Sequence, residues 1–304
     1  MEYKVLILGS NSALPAYGRH PSSQYLMFGN HTFLLDCGEG TQIQLQRFHA
    51  RSRKISNIFI THLHGDHFFG LFGLLQSFNL QNRTEELTVF GPKGMKDLIA
   101  HVLQLTSNPL QYPCNIYEIQ TDSKTLLFED DTIRAYSFPL KHRIPCNGFL
   151  FAEKRPKVSL CSDRLEEYGI PNFYRESIRK GESYLTEEGE LLPAEFFYKE
   201  KKPPKSYAYC SDTIPFAELR NYLDGVSTLY HEATFLNSEI ERAVETMHTT
   251  AYQAGETAVS VGVEKLIIGH YSSRYKDLDL LVDEAKAQFP NTVAAVEGKW
   301  IHLE

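Results

Sequence analysis

Four residues able to hold a metal ion stand almost side by side: His62, His64, Asp66 and His67, in the run Thr61-His62-Leu63-His64-Gly65-Asp66-His67. Imidazole and carboxylate are the ligand types that suit Zn²⁺ or a similar divalent ion. In an extended chain residues i and i+2 point to one side, so His62 and His64 can face one metal together. Gly65 then lets the backbone turn sharply. Asp66 and His67 can swing toward a second metal. A lone His beside a strand is ordinarily a satisfied surface or core residue. Three His and one Asp at this spacing, between apolar runs, are not explained that way. Burying them without a metal would leave several polar groups to pair in little room.

The flanking runs must position these ligands. Asn57-Ile58-Phe59-Ile60 has the length and branching of a buried strand, and Phe68 to Leu75 reads as a helix. The ligands therefore sit on a strand-to-helix turn. Three more candidates also stand just after apolar strands: His142, Asp212 and His270. If these strand ends converge on the His62–His67 turn, His62, His64 and His142 hold one zinc. Asp66, His67 and His270 then hold another, and Asp212 bridges both through its two oxygens. Two zincs that each keep an open position for water need about that many protein ligands. His20, His31, His49, His101 and His302 lack such a context and read as surface or structural residues. His231 fits either reading.

The totals set bounds. A chain of 304 residues makes one large domain or two average ones, and 42% hydrophobic content supports a sizeable core. A formal charge of −7 is not that of a general nucleic-acid coat protein. An RNA substrate would need a local basic patch. The five Cys are odd in number and follow no zinc-finger spacing, so they read as reduced packing thiols. Met1 to Gly9 runs straight into a strand with no basic-then-apolar leader. No apolar run approaches the roughly 18 residues of a membrane span. A cytoplasmic location is the expectation.

Strands and helices alternate along most of the chain, with a hairpin around Gly29-Asn30. That pattern fits an α/β fold of two packed mixed sheets covered by helices. From about 154 to 205 it fails. Charged residues crowd there, and short apolar pieces such as Phe196-Phe197-Tyr198 are separated by turn formers. A long, weakly patterned insert is functional or disordered, or a solvated surface loop.

The run from His62 to His67 matches the H-x-H-x-D-H signature of the metallo-β-lactamase superfamily. The resemblance implies a four-layer αββα sandwich over residues 1–304, with metals at one edge of the two sheets. A wider set of segments resembles the ribonuclease Z family of tRNA 3′-processing endonucleases. It comprises Asp36-Cys37-Gly38-Glu39-Gly40-Thr41-Gln42, Lys141-His142-Arg143-Ile144-Pro145 with Gly148-Phe149, His231-Glu232-Ala233-Thr234-Phe235 and Gly269-His270-Tyr271-Ser272-Ser273-Arg274-Tyr275. His248-Thr249-Thr250 stands close to that family's His-Ser-Thr motif. Together these cover nearly the whole chain.

That likeness implies a zinc-dependent endoribonuclease. It would hydrolyse the phosphodiester on the 3′ side of precursor tRNA, remove the trailer and leave a 3′-hydroxyl. It also implies two Zn²⁺ per subunit, a homodimer, and a protruding arm at about 154–205 that grips tRNA. By the same likeness Asp66 accepts the proton of the attacking water. His248 protonates the leaving oxygen, with Glu232 orienting it. Ser272, Ser273 and Arg274 hold a phosphate, and Asp36 hydrogen-bonds a ligating imidazole. On sequence alone, Glu232 and His248 read as well as a surface ion pair. In the arm, Lys154, Arg155, Lys157, Arg175, Arg179, Lys180, Lys199, Lys201, Lys202 and Lys205 offer charge to an RNA backbone, among many Glu. Where the family arm often has a Gly-Pro-rich turn, this chain has Gly169-Ile170-Pro171-Asn172-Phe173-Tyr174. Two rivals remain. Another dinuclear-zinc phosphodiesterase or a thioesterase would lack the long basic arm and the Glu232/His248 pair. A noncatalytic nucleic-acid-binding relative would have lost metal ligands.

Overall fold

The computed structural model describes residues 2–120, 122–154, 158–199 and 203–303. Arg155, Lys157, Lys201 and Lys202 lie outside the described residues. The chain forms two compact units, Met1–Ala152 with Lys205–Glu304, and Glu153–Pro204.

The first unit is built on two seven-stranded sheets. The first sheet takes β1 (Glu2–Gly9), β2 (Ser23–Gly29), β3 (His31–Leu35), β4 (Asn57–Phe59), β5 (Leu87–Pro92) and β6 (Cys114–Ile119). The second begins with β7 (Thr125–Glu129), β8 (Ile133–Leu140) and β9 (Cys146–Glu153). After a short hairpin in the other unit, β10 (Tyr184–Leu185) and β11 (Leu191–Leu192), it continues with β12 (Ser206–Cys210), β13 (Thr228–Glu232), β14 (Lys265–Gly269) and β15 (Thr292–Ala294). The last strand, β16 (Trp300–His302), returns to pair with β1. The orders are β16-β1-β2-β3-β4-β5-β6 and β15-β14-β13-β12-β9-β8-β7.

Period-two patterning sorts each strand's side chains between two cores. Val5 and Ile7 of β1 join Tyr230 of β13 and Ile267 of β14 between the sheets. Leu6 and Leu8 face outward into a core with helices Thr41–Arg47, Gly70–Leu80 and Met95–Leu105. On the far side, Leu229, Leu266 and Ile268 pack against helices Leu219–Leu223, Ala251–Val261 and Asp279–Gln288. The result is the helix–sheet–sheet–helix layering that the resemblance implies. Within it β3, β4, β5 and β6 run parallel, as do β12, β13, β14 and β15. Their carboxyl ends therefore gather at one edge, where open α/β sheets place ligands.

Two local features set this edge. Helix Ala251–Val261 starts at Thr250, whose hydroxyl accepts from Gln253 N–H at 3.2 Å while the Gln253 side chain accepts from Thr250 N–H at 3.1 Å. This capping box satisfies two helix-end donors and fixes the segment that carries His248. Thr250→Ala should lower stability by about 1 kcal/mol and the melting temperature by about 2–4 °C, which calorimetry checks. Glu297 binds the loop after β1: it accepts from Ser10 N–H at 3.2 Å and His20 N–H at 2.6 Å, and from Gln44 Nε2 at 2.8 Å.

The second unit, Glu153–Pro204, has a core of its own. Leu160, Leu165, Ile170, Ile178, Leu192, Ala194 and Phe197 are buried together. Around them stand helices Ser162–Glu167 and Arg175–Arg179 and the β10–β11 hairpin. The chain enters and leaves side by side: Cys161 N–H donates to Phe197 O at 2.8 Å and Lys199 N–H to Ser159 O at 2.7 Å. The weak patterning of this stretch thus has a physical source. Each element is too short to display a period, yet together they close a small core.

Candidate metal centre and its proton donors

Strand ends deliver the site. His62 and His64 follow β4. Asp66 and His67 sit on the first turn of a short helix, Gly65–Phe68, rather than before the helix as the apolar run suggested. His142 follows β8, Asp212 follows β12 and His270 follows β14. Asp36 and His270 both turn with left-handed backbone, φ 54° and 60°. Non-glycine residues seldom adopt this region, and such strain gathers at functional sites. Here it swings each side chain off its strand into the site.

Two ligand sets converge. In the first, His64 Nδ1 lies 3.0 Å from His62 Nε2 and 3.2 Å from His142 Nε2. Asp212 Oδ2 stands 3.6 Å from His62 Nε2 and from His142 Nε2. In the second, Asp66 Oδ2 is 3.4 Å from His67 Nε2 and 3.7 Å from His270 Nε2. Asp212 Oδ1 is 3.4 Å from His67 Nε2 and 3.1 Å from His270 Nε2. Asp212 thus turns one oxygen to each set.

The donors fit a metal. A tetrahedral ion with Zn–N bonds of about 2.0–2.1 Å separates its ligand atoms by about 3.3 Å, close to these spacings. Among the described residues, the buried nitrogens His67 Nε2 and His270 Nε2 have no hydrogen-bond partner, although carboxylates are near. Charge agrees. Burial pushes the pKa of His62 well below its ordinary value, and those of His64 and His142 down as well, leaving lone pairs to donate. Burial alone would neutralise Asp66 and Asp212, but the imidazoles of His67 and His270 outweigh it and hold both far below the usual carboxylate range. Around His67 burial again opposes charge, yet Asp212, Asp66 and Asp36 overcome it and raise the imidazole well above normal. A buried spot that calls so strongly for positive charge is suited to a divalent cation.

Outer hydrogen bonds orient the imidazoles. Asp36 Oδ2 accepts from His67 Nδ1 at 2.8 Å and from Tyr209 OH at 2.9 Å. Thr61 Oγ1 lies 2.9 Å from His62 Nδ1 and 3.1 Å from Asp36, so Asp36 also steadies His62 through a hydroxyl. His142 Nδ1 donates to Met247 O at 3.1 Å. His270 Nδ1 meets Thr234 Oγ1 at 2.9 Å, and Thr234 in turn donates to Glu232. Ala13 N–H donates to Asp66 Oδ2 at 2.8 Å. Asp36 and Glu232 are wholly buried.

Glu232 and His248 are not an incidental surface pair. His248 Nδ1 is 2.9 Å from Glu232 Oε1, which also accepts from Thr213 N–H at 2.7 Å. Burial disfavours a charged His248, but Glu232 overrides it and lifts the imidazole to about 9. At neutral pH His248 is therefore protonated. Its ring lies 5.2 Å from that of His142 and 5.4 Å from that of His270, beside both ligand sets. A cavity of about 500 Å³ opens over His64, Asp66, His142, Asp212 and His248.

Other candidates lie elsewhere. Ser272, Ser273 and Arg274 do not line that cavity. Arg274 pairs with Glu239 at 2.6 Å and stacks on Phe235. Arg143 lines it instead. In the second unit Arg179 pairs with Glu176 at 3.0 Å, Arg175 is half-buried and Lys180 is exposed. His231 is buried outside the ligand sets, with Nδ1 2.7 Å from Glu232 O. Sequence reasoning missed Thr61, Thr234, Tyr209 and the Ala13 N–H. Thr61 and Thr234 each lie within a recognised segment, but nothing local marks a hydroxyl that bridges an imidazole and a carboxylate.

Comparison with known proteins adds four findings. A family model described as anti-Pycsar protein Apyc1 matches residues 3–137. Ribonuclease Z of Bacteroides fragilis is 42% identical over 302 residues, 99% of each chain. The solved structure of the human tRNase Z short form matches with TM-score 0.73 and 26% identity over 99% of both chains. The metallo-beta-lactamase fold protein YhfI from Bacillus subtilis, TM-score 0.68 and 16% identity over 98% of both chains, shares the fold.

Proposed function

The chain belongs to the ribonuclease Z family, and on that premise we propose how its residues divide the work of cutting precursor tRNA. It has the metallo-β-lactamase fold and is a metal-dependent endoribonuclease of tRNA 3′ processing. His62, His64 and His142 would hold one zinc ion and Asp66, His67 and His270 a second, with Asp212 shared. The observation that carries this reading is Asp212, which offers Oδ2 to one set and Oδ1 to the other. Bound there, the two ions supply a water of lowered pKa and neutralise charge on the phosphoryl oxygens.

The chain's own groups do the rest. Asp66 receives the proton of the attacking water, and Ala13 N–H aims its oxygen at the cavity. His248 gives its proton to the leaving 3′-oxygen of the tRNA. Glu232 keeps that imidazole charged and turned toward the cavity, the pattern of a general acid held by a carboxylate. Asp36 fixes the rings of His67 and His62 so that their Nε2 atoms face the ions. The attacking water, the charge neutralisation and the leaving-group proton of a phosphodiester hydrolysis are thus all supplied at one sheet edge.

The unit Glu153–Pro204 would hold the tRNA body away from the cut. Glu182, Glu187, Glu188 and Glu190 crowd its β10–β11 hairpin, and Arg179 is already paired. Backbone contacts are therefore assigned to Lys180 and Lys199, both of them exposed. A folded tRNA is recognised by shape and backbone rather than by bases. No helix among the described residues is long and apolar enough to cross a membrane. A cytoplasmic homodimer is the assembly proposed.

Incubation with precursor tRNA tests the assignment. The product should be a tRNA ending in a 3′-hydroxyl, with the trailer released; an uncut precursor would oppose it. Glu232→Gln removes the carboxylate that raises the His248 pKa, so His248 should lose its proton at lower pH. The alkaline limb of kcat should then move down by at least about one pH unit. A limb that stays in place would mean that Glu232 does not set the acid.

A further inference from the structure

Two features of the metal cavity have no part in the mechanism above. Phe69 lines it with 62% of its surface exposed. Glu39, on the same cavity, is exposed, and none of the described residues gives its carboxylate a hydrogen bond or ion pair. Their chain segments touch backbone to backbone: Gly70 N–H donates to Cys37 O at 2.9 Å, and a Cβ on Gly70 would stand 2.2 Å from Gly38 O. The Phe69 ring lies on Gly65, where a Cβ would come within 2.3 Å of it. So one part of the ring packs against Gly65, and the residue, largely exposed, lines the cavity. Leu14 and Pro15 add further apolar lining.

An exposed Phe alone is unremarkable. Here it stands beside the centre that must receive a phosphodiester. The planar, apolar part of a nucleotide is its base, and aromatic rings are the usual platforms for unstacked bases. An unpaired carboxylate repels phosphate, so Glu39 does not lie on the backbone path. It is an acceptor, suited to the amino groups of a base edge. We infer that Phe69 and Glu39 form a base pocket for a nucleotide flanking the scissile phosphate. The ring stacks on the base, and the carboxylate favours bases bearing an amino group (adenine, cytosine, guanine) over uracil. The inference rests on the nuclease reading above.

The test crosses protein and RNA changes. kcat/KM is measured for the wild-type chain, Phe69→Ala and Phe69→Trp on precursor tRNA. Each of the two nucleotides flanking the cut carries an intact base or is abasic. Phe69→Ala should lose about tenfold on intact RNA and nothing further when one of the two positions is abasic. Phe69→Trp should keep wild-type rates. Equal losses on every substrate would overturn the pocket, since the ring would then only brace Gly65. Glu39→Gln should erase a preference of about tenfold for amino-bearing bases over uracil at that position; an unchanged preference would overturn the part given to Glu39. A wild-type chain that leaves intact precursor uncut overturns the nuclease reading and the pocket with it. A wild-type chain that cuts, with equal losses in the Phe69 variants, overturns the pocket alone.

Discussion

Asp66→Ala is expected to reduce cleavage of precursor tRNA by at least about 10³-fold while the chain stays folded. The size follows from two roles on one oxygen. Asp66 Oδ2 faces His67 Nε2 at 3.4 Å and His270 Nε2 at 3.7 Å, and the same carboxylate is assigned to take the proton of the attacking water. On the proposed roles, removing it would weaken the hold on one ion and take away the base together. Folding should survive, because Asp66 sits at the cavity surface and Asp36 still holds His67 at 2.8 Å. Single-turnover cleavage, read beside circular dichroism and melting, separates the two effects. A loss below about tenfold in folded protein would remove Asp66 from the chemistry.

Deleting residues 160–198 should abolish precursor tRNA processing yet leave hydrolysis of a small phosphodiester within about twofold of wild type. The stretch closes its own core around Phe197 and Ile178. Its two ends are already joined by the bonds between Cys161 and Phe197 and between Lys199 and Ser159. A short Gly-Ser bridge can therefore replace it at small loop-closure cost. None of the seven proposed ligands, nor Glu232 or His248, lies in it. Rates on bis(4-nitrophenyl) phosphate and on precursor tRNA make the comparison. Unchanged tRNA cleavage would refute the arm's role; loss on both substrates would show that the unit supports the metal centre.

Much of this was legible in the sequence, for identifiable reasons. The candidate ligands between His62 and His67 are compact, and their types suit a divalent metal. His142, Asp212 and His270 are far apart in sequence but share one context, the end of an apolar strand. That context became proximity because parallel strands line up their carboxyl ends. What was not legible depended on tertiary arrangement. β6 and β7 carry no clear strand signal, because Cys114–Ile119 and Thr125–Glu129 are half-exposed edge strands with little alternation. Arg274 is basic and closely follows His270, yet it pairs with Glu239 and does not line the cavity. The Thr61 and Thr234 bridges depend on hydroxyl directions that no spacing encodes. The T-x-x-Q box at Thr250 lay within reach, since capping residues at fixed spacing are a sequence-level signal.

On the proposed reading two metal ions, sharing Asp212, would make the cutting site. Stepwise return of zinc to metal-stripped protein, with precursor tRNA cleavage followed at each addition, addresses it most directly. Stripped protein should show no cleavage, and cleavage should rise and level off at two equivalents per chain. Full cleavage by stripped protein, or a plateau reached at a single equivalent, would contradict that reading.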